Sequence, residues 1–321
     1  PLTVFLSGGI AAMNGGMALN GTRNMKRELN LIKQALPFVL PGLLLVCTFV
    51  IYPVFRNIMI SLSDYKLVTG NMTFIGFKNY HDLMTGYQGR FWYAYRNTLL
   101  YAVVTTPITI FLGLMFAVMI NSLHKGSVFF RTVYYLPVIT SWIIVGLVFK
   151  YMFNVGSSGA VNYILVDVLH VMKEHINWLK LEWQGNFVIW LLGIWKGIGF
   201  PMVIFMAALQ GIPRDIYQVA AIEGSSPANT FFRITIPLLK PATYFLIVQS
   251  LIGSYNVFLQ VLVLTNGDPS GKTSVLQFLL YDQTFKNMLF GQGAAVGVIT
   301  ALSVFLLTIV LGKLLKSENY V

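Results

Sequence analysis

Six long, uninterrupted apolar blocks divide this chain, and each is long enough to cross a lipid bilayer as a helix. Such a helix needs about 20 apolar residues. The blocks lack the polar face that a helix of a water-soluble α/β enzyme would need. Charged residues make up 10% of the chain, against about 25% in soluble domains. The sequence therefore predicts an all-α polytopic membrane protein with six transmembrane helices, at Ala35–Leu62, Ala94–Asn121, Val133–Phe153, Phe187–Leu209, Ala242–Leu264 and Ala294–Leu314.

Lysine and arginine are distributed unevenly between the connections of these predicted helices. The N-terminal segment, the second-to-third connection, the fourth-to-fifth connection and the tail carry eleven basic and four acidic residues, and the other connections are close to neutral. Basic connections stay on the cytoplasmic side. Both termini are therefore predicted to be cytoplasmic, and the formal net charge of +11 reflects topology rather than a nucleic-acid surface. The basic residues are Arg23, Lys26, Arg27, Lys33, Lys125, Arg131, Arg214, Arg233, Lys240, Lys313 and Lys316.

The stretch TNGDPSGKTS, residues 265–274, raises the possibility of a nucleotide-binding loop. Such a loop needs the spacing G-x-x-x-x-G-K-[ST], so that backbone N–H groups surround the phosphates. Here only three residues separate Gly267 from Gly271. Pro269 also lacks an N–H group, and Asp268 adds a negative charge. The stretch joins the fifth and sixth predicted helices on the outer side, so we interpret it as an external turn-rich loop.

Catalytic and metal-binding patterns are not found elsewhere in the sequence. The single cysteine, Cys47, falls inside the first apolar block, where a buried apolar role is expected. His170 and His175 are five residues apart, off one helical face, and do not form an H-E-x-x-H motif. We expect no catalytic residue and no metal site.

Three parts are expected along the chain. Residues 1–34 form an N-terminal cytoplasmic or interfacial tail, because residues 1–22 are uncharged and rich in glycine. The first transmembrane helix spans residues 35–62. A core at 94–314 contains the other five helices and a connecting loop at 209–240.

That loop is part of the stretch LQGIPRDIYQVAAIEGSSPANTFFRITIPLLKP, which predicts two short helices with a sharp turn between them. Pro213 suits a first helical position, and Gly224 can end the first helix in a left-handed conformation. Ser226 can cap the second helix, which Pro237 would end. The face predicted to run along both helices consists of Ile216, Val219, Ala220, Glu223, Phe231, Ile234 and Thr235. Such a loop either docks a partner or lies on the membrane as an amphipathic connector.

The same loop resembles the signature loop of the membrane subunits of binding-protein-dependent ABC importers. That family has E-A-A, two residues, an acid and Gly, and about ten residues later Ile-x-Leu-Pro. Ala220 falls on the second alanine, and Glu223 with Gly224 on the acid–glycine pair. Two departures are Gln218 and Val219, which replace the first glutamate and alanine, so a salt bridge through that glutamate is not expected. Six further segments resemble the carbohydrate branch of this family and occur in its usual order. They are FIGFKNY, RNTLLY, GLMFAVMIN, FFRTVYYLP, GSSGAVNYIL and LTNGDPSGKTSVLQFLLYDQTF.

The resemblance implies the fold and the partners of a type I ABC importer permease in a bacterial inner membrane. The loop would insert in a cleft of a cytoplasmic ATPase subunit. Two such subunits would bind ATP and Mg, so no cofactor is expected in this chain. A second, related permease and an extracytoplasmic solute-binding protein would complete the transporter. The residues expected to dock the ATPase are Gln218, Ala220, Ala221, Glu223, Gly224 and Phe231.

Polar residues inside the predicted helices are candidates for a substrate pathway. Lys196 lies in the fourth block with Trp195 beside it. An intramembrane lysine is costly and faces a cavity or a partner, unless it snorkels to the interface. Gln249, Tyr255 and Asn256 lie in the fifth block. They suit a carbohydrate, although hydrogen bonds between helices would explain them equally well.

The nature of the transported sugar depends on Lys196. If this cation lines the path, it favours an acidic sugar, and the overall similarity suggests an alginate-type oligosaccharide importer. A neutral, maltose-like oligosaccharide is the alternative. A secondary transporter is a further alternative, but it would need intramembrane acidic residues, and the aspartates and glutamates lie in loops.

Overall fold

The computed structural model describes residues 35–86, 89–123 and 125–314. The predicted tail at 1–34 lies outside the described residues. The chain divides into two units after Met59. The first unit, where described, is most of a helix, α1 (Ala35–Ser61), whose mean hydropathy is 2.3. Cys47 is exposed on α1 rather than buried as expected, because the apolar side chains of this helix face outward.

The second unit begins with a small hairpin. Strands β1 (Ser63–Tyr65) and β2 (Met72–Phe74) pair antiparallel, with Ser63 opposite Phe74. Helix α2 (Lys78–Thr85) follows. The side-chain amide of its buried Asn79 donates to the backbone oxygens of Ser61 and Ser63, at 2.9 and 3.0 Å. This amide therefore fixes the start of the hairpin to α2.

A long helix and a sharply bent pair form the next part. Helix α3 (Arg90–Asn121) is 32 residues long. Helices α4 (Ser127–Ile139) and α5 (Trp142–Met152) meet at an angle of 92°. Shorter helical turns follow at Gly156–Ser158, Ala160–Asn162 and Tyr163–Val168.

The remaining helices include two that are nearly continuous. Helices α6 (Glu182–Gly197) and α7 (Gly199–Gln210) together form a run of 29 residues. Helix α8 (Arg214–Ile222) and helix α9 (Pro227–Leu238) form the two-helix loop, and α10 (Lys240–Tyr255) leaves α9 at 60°. Then come α11 (Leu259–Leu264), α12 (Leu276–Tyr281), a π-helical turn at Asp282–Lys286, and α13 (Phe290–Leu314).

Four of these helices are long and apolar enough to cross a membrane, and up to six spans result if each bent pair counts as one. The predicted all-α membrane fold is confirmed, with two corrections. The span predicted at Val133–Phe153 consists of two helices with a bend at Thr140 and Ser141. The predicted span Ala242–Leu264 breaks after Tyr255, and α11 is a separate helix. An apolar block indicates that a segment prefers lipid, but it does not indicate where the helix axis changes direction. The sequence prediction therefore missed both breaks.

Helix α3 is the central element of the second unit. Its first turns meet the start of α12, where the Thr98 hydroxyl accepts from the Leu276 N–H at 3.0 Å. We call this the hairpin end. Its last turns lie beside the two-helix loop, which defines the loop end. Gly113 on α3 lies against Pro201 on α7, where an added Cβ would be 2.6 Å from the proline Cβ. Small residues allow such close approach of helices in membranes.

Three buried apolar clusters fill the second unit. The first joins α5, α6 and α11 through residues such as Phe149, Leu192 and Val261. The second joins the start of α3 to α12 and α13. The third joins the end of α3 to α7 and α10, with Phe205 and Leu246 fully buried. The second unit is therefore packed from the hairpin end to the loop end.

Candidate functional site

The two-helix loop is built by local backbone signals. Gly224 has φ +74°, a conformation that residues with a Cβ rarely adopt. The N–H of Ser225 donates to the oxygen of Ala220 at 2.9 Å, and the N–H of Gly224 donates to Ala221 at 3.1 Å. These bonds satisfy carbonyls that the end of α8 would otherwise leave unpaired. The predicted glycine stop is confirmed.

The second helix of the loop starts as its sequence predicts. The Ser226 hydroxyl accepts from the N–H of Asn229 at 3.3 Å, and Pro227 occupies the first turn. Two boundaries were wrong. Pro213 precedes the first turn of α8 instead of opening it, and Pro237 lies inside α9, which continues to Leu238. The helix continues through Pro237 because the π-helical turn Phe231–Thr235 leads directly into the α-helical turn Ile236–Leu238, in which the proline occupies one of the first two positions.

Two concave surfaces lie on opposite sides of this loop. The outer cleft has a volume of 1010 Å³, and the inner cleft, toward α3 and α7, has a volume of 540 Å³. The outer cleft is lined by Asp215, Ile216, Val219, Ala220, Glu223, Gly224, Ser225, Ser226, Asn229, Arg233 and Ile234. The inner cleft is lined by Val118, Asn121, Ser122, Leu209, Tyr217, Ala221, Ser225, Pro227, Thr230, Phe231 and Thr235.

The predicted docking residues divide between these clefts. Ala220, Glu223 and Gly224 line the outer cleft, whereas Ala221 and Phe231 line the inner one. Gln218 is exposed and lines neither cleft. Two large apolar side chains of α8 are also exposed, Val219 at 54% and Ile222 at 86%. The loop therefore presents an apolar surface outward in this chain, and the docking role of the six residues stays a prediction.

Another concave region lies among the spans, beside the middle of α3 and the junction of α6 with α7. Its volume is 300 Å³, and six helices contribute to its wall. The wall is rich in hydroxyl and amide groups and, among the described residues, contains no charged side chain. The residues are Tyr101, Thr105, Thr106, Thr109, Trp142, Gly193, Gly197, Phe200, Pro201, Gln249, Ser250, Gly253, Ser254, Val257 and Gln260. We call it the central cavity.

One hydroxyl in the wall of the central cavity is not used by the protein. The Thr106 Oγ1 atom is buried and has no hydrogen-bond partner within the described ranges. By contrast, the Thr105 hydroxyl donates to the Tyr101 oxygen at 2.7 Å, and the Ser254 hydroxyl donates to Ser250 at 2.8 Å. Thr106 is therefore a wall residue whose hydroxyl can bind a ligand without giving up a bond to another described residue.

The five predicted pathway residues do not come together. Gln249 lines the central cavity. Trp195 is 44% exposed with its ring 5.8 Å from that of Phe149. Tyr255 is buried in the apolar cluster of α3, α12 and α13, and the Asn256 amide donates to Ile252 at 3.0 Å. Their role in substrate passage stays a prediction.

The wall residues of α3 were missed by sequence reasoning, although a signal existed. Thr105, Thr106 and Thr109 recur at the spacing of one helical face inside an otherwise apolar block. Gln260 is a similar isolated polar residue. A stripe of hydroxyls in a span is a better indicator of a cavity than one isolated charge.

Lys196, the remaining predicted pathway residue, is 3% exposed and does not snorkel to an interface. Its ammonium donates to the backbone oxygens of Pro137, Val138 and Thr140, at 2.5, 3.0 and 2.6 Å. It also lies 4.7 Å from the ring centre of Trp142. The charge is thus directed to the junction of α4 and α5.

The TNGDPSGKTS stretch is a folded cap at the hairpin end, as an external loop would be. The fully buried Thr273 hydroxyl lies 2.7 Å from the Asp268 backbone oxygen and 2.8 Å from the Thr265 hydroxyl, and its single proton is donated to one of these two oxygens. The Asn97 amide donates to the oxygens of Lys272 and Ser274. Because the Thr273 hydroxyl is hydrogen-bonded within the loop, it is not free to bind the metal ion of a metal–nucleotide complex. Across residues 35–86, 89–123 and 125–314, metal-binding clusters of three or more His, Cys, Asp or Glu are absent as well.

Comparisons with known proteins agree with this architecture. Residues 83–317 match the family described as binding-protein-dependent transport system inner membrane component. The chain is 31% identical over 281 residues to the arabinooligosaccharides transport system permease protein AraP of Halalkalibacterium halodurans, covering 86% of each chain. It is 33% identical over 276 residues to the lactose transport system permease protein LacF of Rhizobium radiobacter, covering 84% of this chain and 90% of that protein.

A solved structure supports the same fold. It is the crystal structure of a bacterial ABC transporter involved in the import of the acidic polysaccharide alginate, with a TM-score of 0.76 and 21% identity, covering 91% of this chain and 99% of that chain. At this identity the likeness concerns the fold alone. The family match and the relatives together establish that this chain belongs to the inner membrane components of binding-protein-dependent transport systems, the permease subunits of ABC importers.

Proposed function

We propose that this chain is a non-catalytic transmembrane subunit of an ATP-driven importer, and that it passes an oligosaccharide through the central cavity. The observation that carries the proposal is the two-helix loop. It has defined caps, an exposed apolar surface and short connections to spans at both ends. A loop of this kind transmits the movement of a bound partner to the helices that it joins.

The mechanical path runs through two short connections. Only Gly211, Ile212 and Pro213 separate α7 from α8, and only Leu239 separates α9 from α10. Helices α7 and α10 both contribute residues to the wall of the central cavity. A partner that binds the loop differently in two states would therefore bias two conformations of the cavity.

The partners follow from this role. We propose that the outer cleft receives a surface of an ATP-binding subunit, since Asp215, Glu223 and Arg233 surround apolar side chains there. Two such subunits would bind ATP and Mg, and a second permease and a solute-binding protein would complete the importer. We also propose that the loop end and both termini are in the cytoplasm of a bacterial inner membrane; the excess of basic residues on the loop side supports this orientation.

For the cargo, we propose a neutral oligosaccharide in preference to an alginate-like acidic one. The wall of the central cavity offers hydroxyls, amides and the rings of Tyr101, Trp142 and Phe200. These groups suit sugar hydroxyls and the apolar faces of sugar rings. Lys196, the cation that would favour a carboxylated sugar, is engaged by three carbonyls. The names of the two relatives also point to neutral sugars.

The test is ATP hydrolysis by the complete transporter in proteoliposomes, with its binding protein and a panel of neutral and acidic oligosaccharides. We expect stimulation by a neutral sugar and no hydrolysis by this chain alone. Stimulation by acidic sugars only would overturn the choice of cargo. Uptake that proceeds without ATP would indicate a secondary transporter and contradict the whole proposal.

A further inference from the structure

The junction of α4 and α5, at Thr140 and Ser141, is a right-angled elbow inside the membrane-spanning region. Thr140 is extended, with ψ 146°, so the helical hydrogen bonds of α4 end there. The last carbonyls of a helix have no partner within it. In lipid no water is available to pair such a carbonyl, so leaving it unpaired is strongly unfavourable. The Pro137 carbonyl accepts from the Thr140 N–H at 3.3 Å, so the Val138 and Thr140 carbonyls are the ones at this elbow that require a donor from another element.

Lys196 supplies that donor with a matching number of bonds. A lysine ammonium has three N–H donors, and three carbonyls at the elbow accept from it, those of Pro137, Val138 and Thr140. The negative end of the α4 dipole also attracts a cation. The face of the Trp142 ring, at 4.7 Å, covers a further side of the ammonium.

The elbow is linked to both functional regions. Trp142, the first residue of α5, lines the central cavity. Lys196 lies on α6, which continues almost without interruption into α7 and then, after three residues, into α8 of the loop. A movement of α8 is transmitted along this path to α6, and the Lys196 side chain connects α6 to the elbow.

We propose that Lys196 is a positioning residue that clamps the α4–α5 elbow to α6 and thereby holds Trp142 in the wall of the central cavity. The clamp itself follows from geometry, whereas its effect on transport rests on the proposed function. Direct binding of the sugar by the Lys196 ammonium would be a different role, and experiments distinguish it from the positioning role.

The first experiment measures the elbow directly by electron paramagnetic resonance distances in the purified, reconstituted protein complex. Spin labels at Val128 on α4 and Tyr151 on α5 occupy positions that are 72% and 71% exposed; Cys47→Ser removes the native thiol. Each arm is about 15 Å long, so the separation is roughly 20 Å for a right angle and roughly 30 Å for a straight pair. We expect a narrow distribution near the shorter value.

Lys196→Met should shift this distribution toward the longer value or broaden it several-fold. Lys196→Arg should fall between, because the planar guanidinium keeps the charge but not the three-way geometry of the ammonium. Lys313→Met, an exposed lysine on another span, is the matched control and should change nothing. An unchanged distribution in Lys196→Met overturns the clamp. If that variant does not assemble, the arginine variant decides: a wild-type distribution contradicts the proposal and a broadened one supports it.

The second experiment compares uptake of neutral and acidic oligosaccharides by the same variants. A clamp predicts that Lys196→Met lowers both by a similar factor, at least about tenfold, since the variant removes every hydrogen bond between the buried ammonium and the elbow. A selective loss for acidic sugars would assign Lys196 to the ligand and overturn the positioning role. If the wild-type transporter responds to no sugar, the proposed function fails, but the distance measurement still tests the clamp.

Discussion

The two-helix loop and the central cavity are both small regions of one unit, yet they are specified in different ways. The loop is specified by neighbouring residues: Gly224 stops one helix, and Ser226 starts the next. The cavity is assembled from six helices, with wall residues between Tyr101 and Gln260. Changes in the loop should therefore act through docking and local geometry. Changes in the cavity should act through contacts that distant helices share.

The largest effect is expected where the loop presents apolar surface to a partner. Val219→Asp places a charge in the outer cleft at a position that is 54% exposed. Burial of an unpaired charge at an interface is strongly unfavourable. We expect sugar-stimulated ATP hydrolysis to fall at least about tenfold, with an unchanged melting temperature of the isolated chain.

Gln218→Asp is the control for this change, since Gln218 is the exposed neighbour that lines neither cleft. Its effect should be less than about twofold. An equally large loss of ATP hydrolysis in Gln218→Asp would show that docking extends beyond the outer cleft, as the six docking residues predicted from the sequence imply.

A smaller effect is expected from the backbone of the loop. Gly224→Val forces a β-branched residue to φ +74°, which costs about 1–2 kcal/mol. Because open space surrounds this position, the cost is conformational and not steric. Hydrogen exchange of α8 and α9 should accelerate by roughly tenfold. Gly42→Ala, also in open space but without positive φ, is the control and should leave exchange unchanged; equal exchange in both variants would contradict the assigned turn.

In the central cavity, Thr106→Val removes a hydroxyl that has no protein partner in the described structure. Stability should hold, while the concentration of sugar giving half-maximal uptake should rise by roughly 2- to 10-fold, the value of one hydrogen bond. Thr308→Val on α13 and Asn256→Ala, both away from the cavity wall, should change it little. A large effect of Asn256→Ala with none from Thr106→Val would restore the pathway predicted from sequence.

The smallest effect is expected in the TNGDPSGKTS cap. Lys272 lies 3.8 Å from the Glu182 carboxylate, and both side chains are partly exposed. Such ion pairs contribute about 0–1 kcal/mol. Lys272→Met should therefore leave ATP hydrolysis by the transporter unchanged. A loss of nucleotide binding by this chain would show that the stretch is a phosphate loop after all.

The success and failure of sequence reasoning follow the same division. The helix stop at Gly224, the cap at Ser226 and the face of α8 depend on residues within one or two turns. The α8 residues of that face all line the outer cleft, whereas Phe231 and Thr235, which were predicted to continue the face along α9, line the inner cleft. The five residues predicted for the substrate pathway do not lie together, because polarity within one helix does not tell which direction a side chain faces; their role stays a prediction. Asn256 bonds its own helix, and Tyr255 enters an apolar cluster.

By itself, the sequence determined the membrane class, the helical fold, the caps of the two-helix loop and the family to which the chain belongs. These follow from apolar length, local backbone preferences and a motif of adjacent residues. Only the tertiary structure decided that the third span bends by 92°, that Lys196 satisfies the carbonyls freed there, and that a stripe of threonines meets Gln249 and Gln260 across the central cavity. The physical reason is that in lipid every freed carbonyl and every buried charge must find a partner, and those partners lie on helices remote in sequence.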